Sequence, residues 1–489
     1  MLFFLFASLS ALSQPVFKPS EVDKAADPSG GAVALNQFIN ANLQIPIRSA
    51  ARGLNGSVIV KGVVEPDGSM TGLEVARSLD SLCDAEALRL FGLYKAWQPA
   101  SQNGIAVRQE VTYPVFFRTV RLANFDFATN TIVQYFDKNQ VLTSDPDKYE
   151  YRSLIPVDER GTVRGYFVHE RNRKGIWKPV STIPFERKEE WVRIPTDLNP
   201  DSVRAFRILG KEIDWSSGSE TVTVQPDGKL LSIVATVGAG KLPYLSRQYD
   251  KRGLLREEMK MEDSTRFITS WHDNGQLYAI LESHEKKGTV VHEVYDRSGT
   301  QLVKEGNGWA VLAGTPNNYR NVYEQGQVVE TRKTGRWVGR YADSTLLFEE
   351  FYEQGVLKKG KAFLDDKQIE YYTEFATQAQ FPGEDGKMEM YRFMGKNIRY
   401  PIEAARNNIT GRVLVTFLIH EDGSSSDFVI EQSADKRLDQ EALRVAKLMN
   451  GKWQPAMLKG RPIVVRYNLP VGFNVQSSGV NVQAFGVRR

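Results

Sequence analysis

The chain has 489 residues, 41% hydrophobic and 25% charged, which is enough apolar material for about three packed domains of roughly 150 residues. Its 63 Lys and Arg against 59 Asp and Glu leave a net charge of only +4, without the basic excess or basic runs of a nucleic-acid-binding surface. One cysteine, Cys83, excludes an internal disulfide framework and a cysteine-based metal finger. Five scattered histidines (His169, His272, His284, His292, His420) offer no i/i+3 or i/i+4 metal pair.

Leu2–Leu12 is an apolar run, too short for the ~20 residues that cross a bilayer as a helix. Small residues Ala11 and Ser13 ahead of Gln14 give it the build of a secretory signal over residues 1–13, although no Lys or Arg precedes it. No other stretch reaches spanning length, and no Cys adjoins the cut to carry a lipid. The expectation is an exported chain, soluble after cleavage, in the periplasm or cell envelope and with no transmembrane helix.

The next segment, residues 29–120, recurs as residues 381–476. Sliding the chain by 355 positions sets Gly31 on Gly386, Phe38 on Phe393, Asn42 on Asn397 and Pro46 on Pro401. Asp67-Gly68-Ser69 then meets Asp422-Gly423-Ser424, and Glu86-Ala87-Leu88-Arg89 meets Glu441-Ala442-Leu443-Arg444. After a one-residue insertion, Trp97-Gln98-Pro99-Ala100 meets Trp453-Gln454-Pro455-Ala456. A register held this long identifies two copies of one module. Trp97 and Trp453 read as packing anchors, and Cys83, opposite Leu438, reads as a small buried hydrophobe.

Between the copies, residues 121–245 are irregular and β-rich. Gln134–Gln140 and Tyr149–Leu154 are expected to begin the sheet that follows. In residues 246–370 a unit recurs, an aromatic followed by Gly: Tyr249 with Gly253, Trp271 with Gly275, Tyr295 with Gly299, Tyr323 with Gly326, Tyr352 with Gly355. Each unit reads as a β-hairpin whose glycine supplies the turn, the aromatics packing a single-layer repeat.

The second copy is the more legible. Met390, Phe393, Met394 and Ile398 fall at helical spacing, and Tyr400-Pro401 stops that helix. Arg412–His420 alternates as a strand, Asp422-Gly423 is a hairpin turn, and Phe428–Glu431 returns. Acids in Leu438–Glu441 open a second helix with buried stripe Ala442, Val445, Ala446 and Met449. Ile463–Leu469 is a last strand, closed by Pro470, and residues 477–489 are a tail. The order α-β-β-α-β gives an α+β module, a three-stranded antiparallel sheet with two helices on one face.

The stretches IRYPIEAARNNITGRVLVTFLIHEDGS, SADKRLDQEALRVAK and KWQPAMLKGRPIVVRYNLPVGF resemble the TonB C-terminal domain, and LQIPIRSAARGLNGSVIVKGVVEPDGS with AWQPASQNGIAVRQEVTYPVFF matches it more loosely. The middle, best at Gly335–Lys361, looks like the MORN-type repeat of bacterial antitoxin-like proteins. The fold class is therefore α+β, two small TonB-C-like modules flanking an all-β hairpin region. The resemblance implies a role in binding envelope proteins, outer-membrane receptor segments among them. The long Pro-rich stalk of the energy-transducing family is missing, which argues against proton-driven transduction.

Little in the chain asks for catalysis. Glu189-Glu190 and Glu349-Glu350 are sequence neighbours, so on a strand they face opposite ways. Gly238-Ala239-Gly240-Lys241 has the wrong spacing for a phosphate loop and lacks the Ser/Thr. His272-Asp273 falls at a turn. No nucleophile elbow or Cys–His couple is present. The expectation is a protein that is not an enzyme, with no catalytic, cofactor or metal residues and no nucleic acid partner. Partner segments would add as a strand to the edge formed by Ile463, Val464, Val465, Arg466, Tyr467, Asn468 and Leu469. Val107–Tyr113 of the first copy, carrying Arg108 and Glu110 and less apolar, would bind more weakly or elsewhere. The alternative is a structural or glycan- or lipid-binding protein whose repeats carry the ligand and whose ends are caps or dimerisation units.

Overall fold

The computed structural model describes residues 15–119, 124–159, 161, 163–184, 186–194, 201–209, 220–236, 243–284, 288–314, 320–364, 367–476 and 479–483. The expected leader and the Gly238–Lys241 loop lie outside them. The chain divides into two compact units, Met1–Thr334 and Gly335–Arg489.

In the first unit, the first module has helices Gly31–Asn42, Ile47–Arg52 and Ser81–Leu93 around strands Gly56–Val64, Met70–Arg77 and Ile105–Phe117. Gly56–Val64 is central, with Met70–Arg77 on one side and Ile105–Phe117 on the other. The second unit repeats this with helices Gly386–Asn397, Ile402–Arg406 and Lys436–Leu448 and strands Gly411–Ile419, Ser425–Gln432 and Val465–Gln476. The expected order lacks the short second helix. Pro46 and Pro401 do stop the first helix, but they are also the N-caps of the next, at φ −61° and −60°, where a proline's fixed φ costs nothing.

The shared letters do the same physical job twice. Ser78 and Ser433 each donate to the helix-opening aspartate, Asp84 and Asp439, at 2.5 Å. Arg89 binds Glu86 and the carbonyl of Asn42 at 2.7 Å, while Arg444 binds Glu441 and the carbonyl of Asn397 at 2.6 Å. Each Glu–Arg pair thus ties the long helix to the end of the first one. Cys83 and Leu438 are both fully buried, and burial pushes the Cys83 thiol up to about 12, so it is a packing residue rather than a nucleophile.

Residues 125–184 form a separate five-stranded antiparallel sheet, Phe125–Asp126, Thr131–Phe136, Tyr151–Pro156, Tyr166–Arg173 and Ile176–Pro184, in chain order. Gln134–Gln140 and Tyr149–Leu154 belong here and not to the sheet that follows. The edge strand ends at Pro184, which has no N–H to continue a ladder. A long antiparallel meander then starts at Glu186–Ile194, well before residue 246, and runs strand after strand to Val322–Val329 within the first unit. Its opening strands pack around Ile194, Ala205 and Leu231 and carry partly exposed ion pairs: Glu190 meets Arg207 at 2.6 Å, and Arg204 pairs with Glu189. Four of the five repeat glycines, Gly253, Gly275, Gly299 and Gly355, take positive φ at hairpin turns. Gly326 instead lies inside strand Val322–Val329, opposite Ala310.

The first module sits on this row of turns. Gly275 has φ +89°, and a Cβ there would lie 2.9 Å from the Phe38 ring and 3.0 Å from Tyr94. Leu255 N–H donates to Asn42 Oδ1 at 2.8 Å, Lys95 N–H to the Asn274 carbonyl at 2.8 Å, and Leu254 joins the module's core. Among the described residues, the second module's buried apolar core runs from Ala379 to Phe473. It meets the sheet of its own unit through the Lys459–Arg461 hairpin tip instead of through its core. Losing the burial of a leucine alone removes about 1.5–3 kcal/mol. Expressed alone, residues 29–120 should therefore unfold at lower temperature and less cooperatively than residues 376–483, as circular dichroism melting would show.

In the second unit, strands Leu346–Glu353, Val356–Phe363 and Ile369–Tyr372 form an antiparallel meander. Ala376–Thr377 then pairs with the hairpin Ala456–Leu458 and Arg461–Ile463 of the second module. The expected tail contributes a fourth strand, Gly479–Gln483, which pairs with Gly472–Gln476. Pro470 does not close the last strand; it stays in the ladder opposite Leu414, because only one of its two edges needs a donor at that point.

Candidate partner-binding edge

The seven residues expected to form one strand are divided by the structure. Ile463 ends the short hairpin strand opposite Ala456, Val464 lies between ladders, and Val465–Gln476 begins the long strand. Val465, Arg466, Tyr467, Asn468 and Leu469 pair inward with Ile419, Leu418, Phe417, Thr416 and Val415. Leu469 is fully buried in the core, whereas Val464 is 47% exposed and Arg466 and Asn468 face solvent. Asn468 Oδ1 accepts from the Thr416 hydroxyl at 3.0 Å. The Tyr467 ring is tilted 50° against Trp453 with centroids 4.7 Å apart, and its hydroxyl points at Met390 Sδ, 3.5 Å away; burial pushes that phenol's pKa up.

On the outer side, Gly479–Gln483 covers the strand only from Gly472 onward. Among the described residues, no strand pairs with the outer side of Val465–Val471. Main-chain groups along such a stretch form a template for an added strand.

The first module differs at this point. Its strand Ile105–Phe117 is continuous, and Val16–Phe17 runs parallel to it in register with Arg108 and Gln109. Arg108 is bound to Glu65 at 2.8 Å and Gln109 is buried. Val107–Tyr113 is thus partly covered by the chain itself, a relation between segments ninety residues apart that no local pattern signals.

The edge of the second module is mounted on a buried polar cluster. Lys459, at the hairpin tip, reaches Glu350 Oε2 at 3.2 Å and lies 3.5 Å from the Phe348 ring centre. Tyr352 and Tyr372 hydroxyls donate to the same carboxylate at 3.0 and 2.8 Å. Lys459 N–H donates to the Phe375 carbonyl at 2.7 Å, and Arg461 reaches the Phe363 carbonyl.

In both modules the turn aspartate, Asp67 or Asp422, accepts from the hydroxyl and N–H of the following serine, which holds its carboxyl below the usual range. A depressed carboxyl contributes stability above its unfolded value near 3.8 and loses it as pH falls through the folded value. Acid below about pH 4 should therefore loosen both hairpin turns together, measurable as lower protection factors at Ser69 and Ser424 once exchange is corrected for its own pH dependence.

Other features do not gather into a site. Glu189 and Glu190 each hold an arginine, and His272 Nε2 lies 3.0 Å from the Tyr295 carbonyl while Asp273 meets Arg297 at 2.8 Å. A cavity of about 480 Å³ between Asp158, Arg164, Arg187 and Asp227 is open and of mixed charge. Among the described residues, no cluster of His, Cys, Asp and Glu is placed to hold a metal, and no helix is long and apolar enough to cross a membrane.

Residues 41–119 and 396–475 match the family described as Gram-negative bacterial TonB protein C-terminal. The NMR solution structure of the Helicobacter pylori TonB-CTD (residues 179–285) is similar at 24% identity, over 20% of this chain and 88% of that one, with a TM-score of 0.16. No curated protein matches the chain. TonB C-terminal-like domains are thus present at both ends of a chain whose middle is a large sheet.

Proposed function

We propose that this chain is an envelope protein-interaction adaptor, exported to the periplasm, that takes extended partner segments by strand addition to the outer side of Val465–Leu469. The observation that carries this reading is the asymmetry of the two edges. Among the described residues, the outer side of Val465–Val471 has no strand partner. In the first module Val16–Phe17 covers Arg108–Gln109, the counterparts of Val464–Val465, and so occupies the start of the equivalent stretch. Arg466 and Asn468, the exposed alternate residues, would set preference, the backbone supplying affinity. The role needs no catalysis, cofactor or proton-driven step, and the middle serves as a hairpin-repeat platform of MORN-like character.

The test is crosslinking of the exported protein in its native envelope, comparing the unaltered chain with Arg466→Pro, which removes an outward-facing N–H while leaving the Val465–Ile419 pair, after a melt shows the variant folded. Loss of captured envelope proteins is the expected result. Unchanged capture by a folded variant would move the site to the sheet, where Trp191 and Trp309 are 74% and 53% exposed and where glycan or lipid binding would be the reading to pursue.

A further inference from the structure

The strap that covers the first module is anchored unevenly. At its inner part, Lys24 and Ser101 exchange backbone hydrogen bonds at 3.1 and 2.8 Å, Asp23 accepts from Asn103 N–H at 2.6 Å, and Asp27–Pro28 pairs with Trp97–Gln98. Ala26 N–H donates at 2.8 Å to Oε1 of Gln109, whose side chain is buried. The outer part is different: Val16–Phe17 contributes two residues of parallel ladder, Val16 is 43% exposed, and neither residue enters the core. The 3-10 turn Pro19–Glu21 lies between the two parts. Peeling Val16–Lys18 away would expose the main chain at Arg108–Gln109 without disturbing the anchor at residues 23–28.

Among the described residues, the second module has no such cover. The backbone of its preceding segment pairs with Met457–Leu458 and Gln454, through Ala376–Thr377 and Gln380, and Phe381 packs on Trp453, but no described strand of it lies along Val465–Val471. By the register of the repeat, Gln109 corresponds to Val465, which cannot offer the side-chain acceptor that secures the strap.

We infer that the outer edge of the first module at Arg108–Gln109 is a second strand-acceptor site, held closed by the chain's own Val16–Phe17, and that it takes a partner segment with two adjacent apolar side chains running parallel to the edge. This inference rests on the strand-addition reading of the second module but concerns a different edge. The occupant already present defines what fits: a short extended segment, in parallel register, whose main chain satisfies the edge as Val16–Phe17 does now. A chain with both edges engaged could hold a partner bearing two such segments, with the second contact made intramolecular. Closure by the chain's own segment would then make engagement of the first module conditional on displacing the strap.

The probe is a labelled peptide of residues 15–21, Pro-Val-Phe-Lys-Pro-Ser-Glu, titrated against the full chain and against the full chain carrying Val16→Gly and Phe17→Gly. Hydrogen exchange is mapped at both edges. The expected result is at least tenfold tighter binding to the double variant, with new protection at Arg108–Val111. On the unaltered chain, saturating peptide should speed exchange at Phe17–Lys18 as the strap is displaced, a readout that does not depend on the variant folding. Equal affinity for the two chains with exchange at Arg108–Val111 unchanged would overturn the inference. Protection confined to Val465–Leu469 would also overturn it, while leaving strand addition at the second module standing.

Discussion

Replacing Lys459 by Met should destabilise the second unit by about 3–5 kcal/mol, the range for breaking one side of a buried ion pair. Glu350 has no exposed side-chain surface and Lys459 only 15%. Removing the ammonium leaves a buried carboxylate supported by two tyrosine hydroxyls, without the cation that Lys459 now supplies to offset its desolvation. The Phe348 ring, 3.5 Å from Nζ, loses its cation at the same time. The double change Lys459→Met with Glu350→Gln should recover much of the loss, because the isolated charge is then gone. Lys61 and Glu110 in the first module provide the contrast. They approach to 2.8 Å but are 36% and 38% exposed, and water and salt screen such pairs, so Lys61→Met should leave the unfolding midpoint unchanged. Urea unfolding of the full chain, with hydrogen exchange read at Phe348–Tyr352, measures both. A Lys459→Met chain as stable as the original would show that the hairpin tip rests on the sheet without being fastened to it.

The sequence revealed the modules where each shared letter has a short-range task. Ser78 with Asp84, Glu86 with Arg89 and the Asp-Gly-Ser turn all act within six residues, so they recur together in the second copy. The helices Ile47–Arg52 and Ile402–Arg406 were hidden because a proline reads as a stop, and neither is long enough to show periodicity. The meander from Glu186 was hidden for another reason. Glu186–Ile194 is mostly charged and pairs through arginines on the next strand, so it lacks the apolar alternation that marks a half-buried strand. The candidate edge was legible as a strand, but its division at Val464 was not, since that break follows from Arg461–Ile463 turning back onto Ala456–Leu458. Nor could the strap or the Lys459 cluster be read from sequence. Both join residues about ninety to one hundred and ten positions apart, and a hairpin-tip lysine looks like any solvated one until its aromatic and acidic neighbours are placed.

The second large effect is expected at Gly423. It has φ +79°, and a Cβ there would fall 2.2 Å from the Trp453 carbonyl oxygen, a backbone atom that cannot swing aside as a side chain would. Left-handed backbone alone costs an L-residue about 1–2 kcal/mol, and the overlap adds the cost of lifting the turn off the tryptophan. Gly423→Ala should therefore destabilise the second module by about 3 kcal/mol or more, the upper end for a single substitution. Gly451 separates the two contributions: its φ is +72° with nothing within 4 Å of a Cβ, so Gly451→Ala should show the conformational cost alone, about 1–2 kcal/mol. Gly68→Ala should repeat the large effect in the first module, where the Trp97 carbonyl stands 2.6 Å from the same position. The consequence reaches the candidate edge, because Trp453 packs against Phe381, Phe417 and Tyr467 at 5.2, 5.8 and 4.7 Å, and Tyr467 lies on the edge strand. In Gly423→Ala, amide exchange at Val465–Leu469 should accelerate at temperatures where the module remains folded, and capture of partner segments should weaken in step. Fast exchange at the Asp422–Ser424 turn with Val465–Leu469 unaffected would show that Trp453 does not couple the two, and that the edge is held by its pairing with Gly411–Ile419 alone.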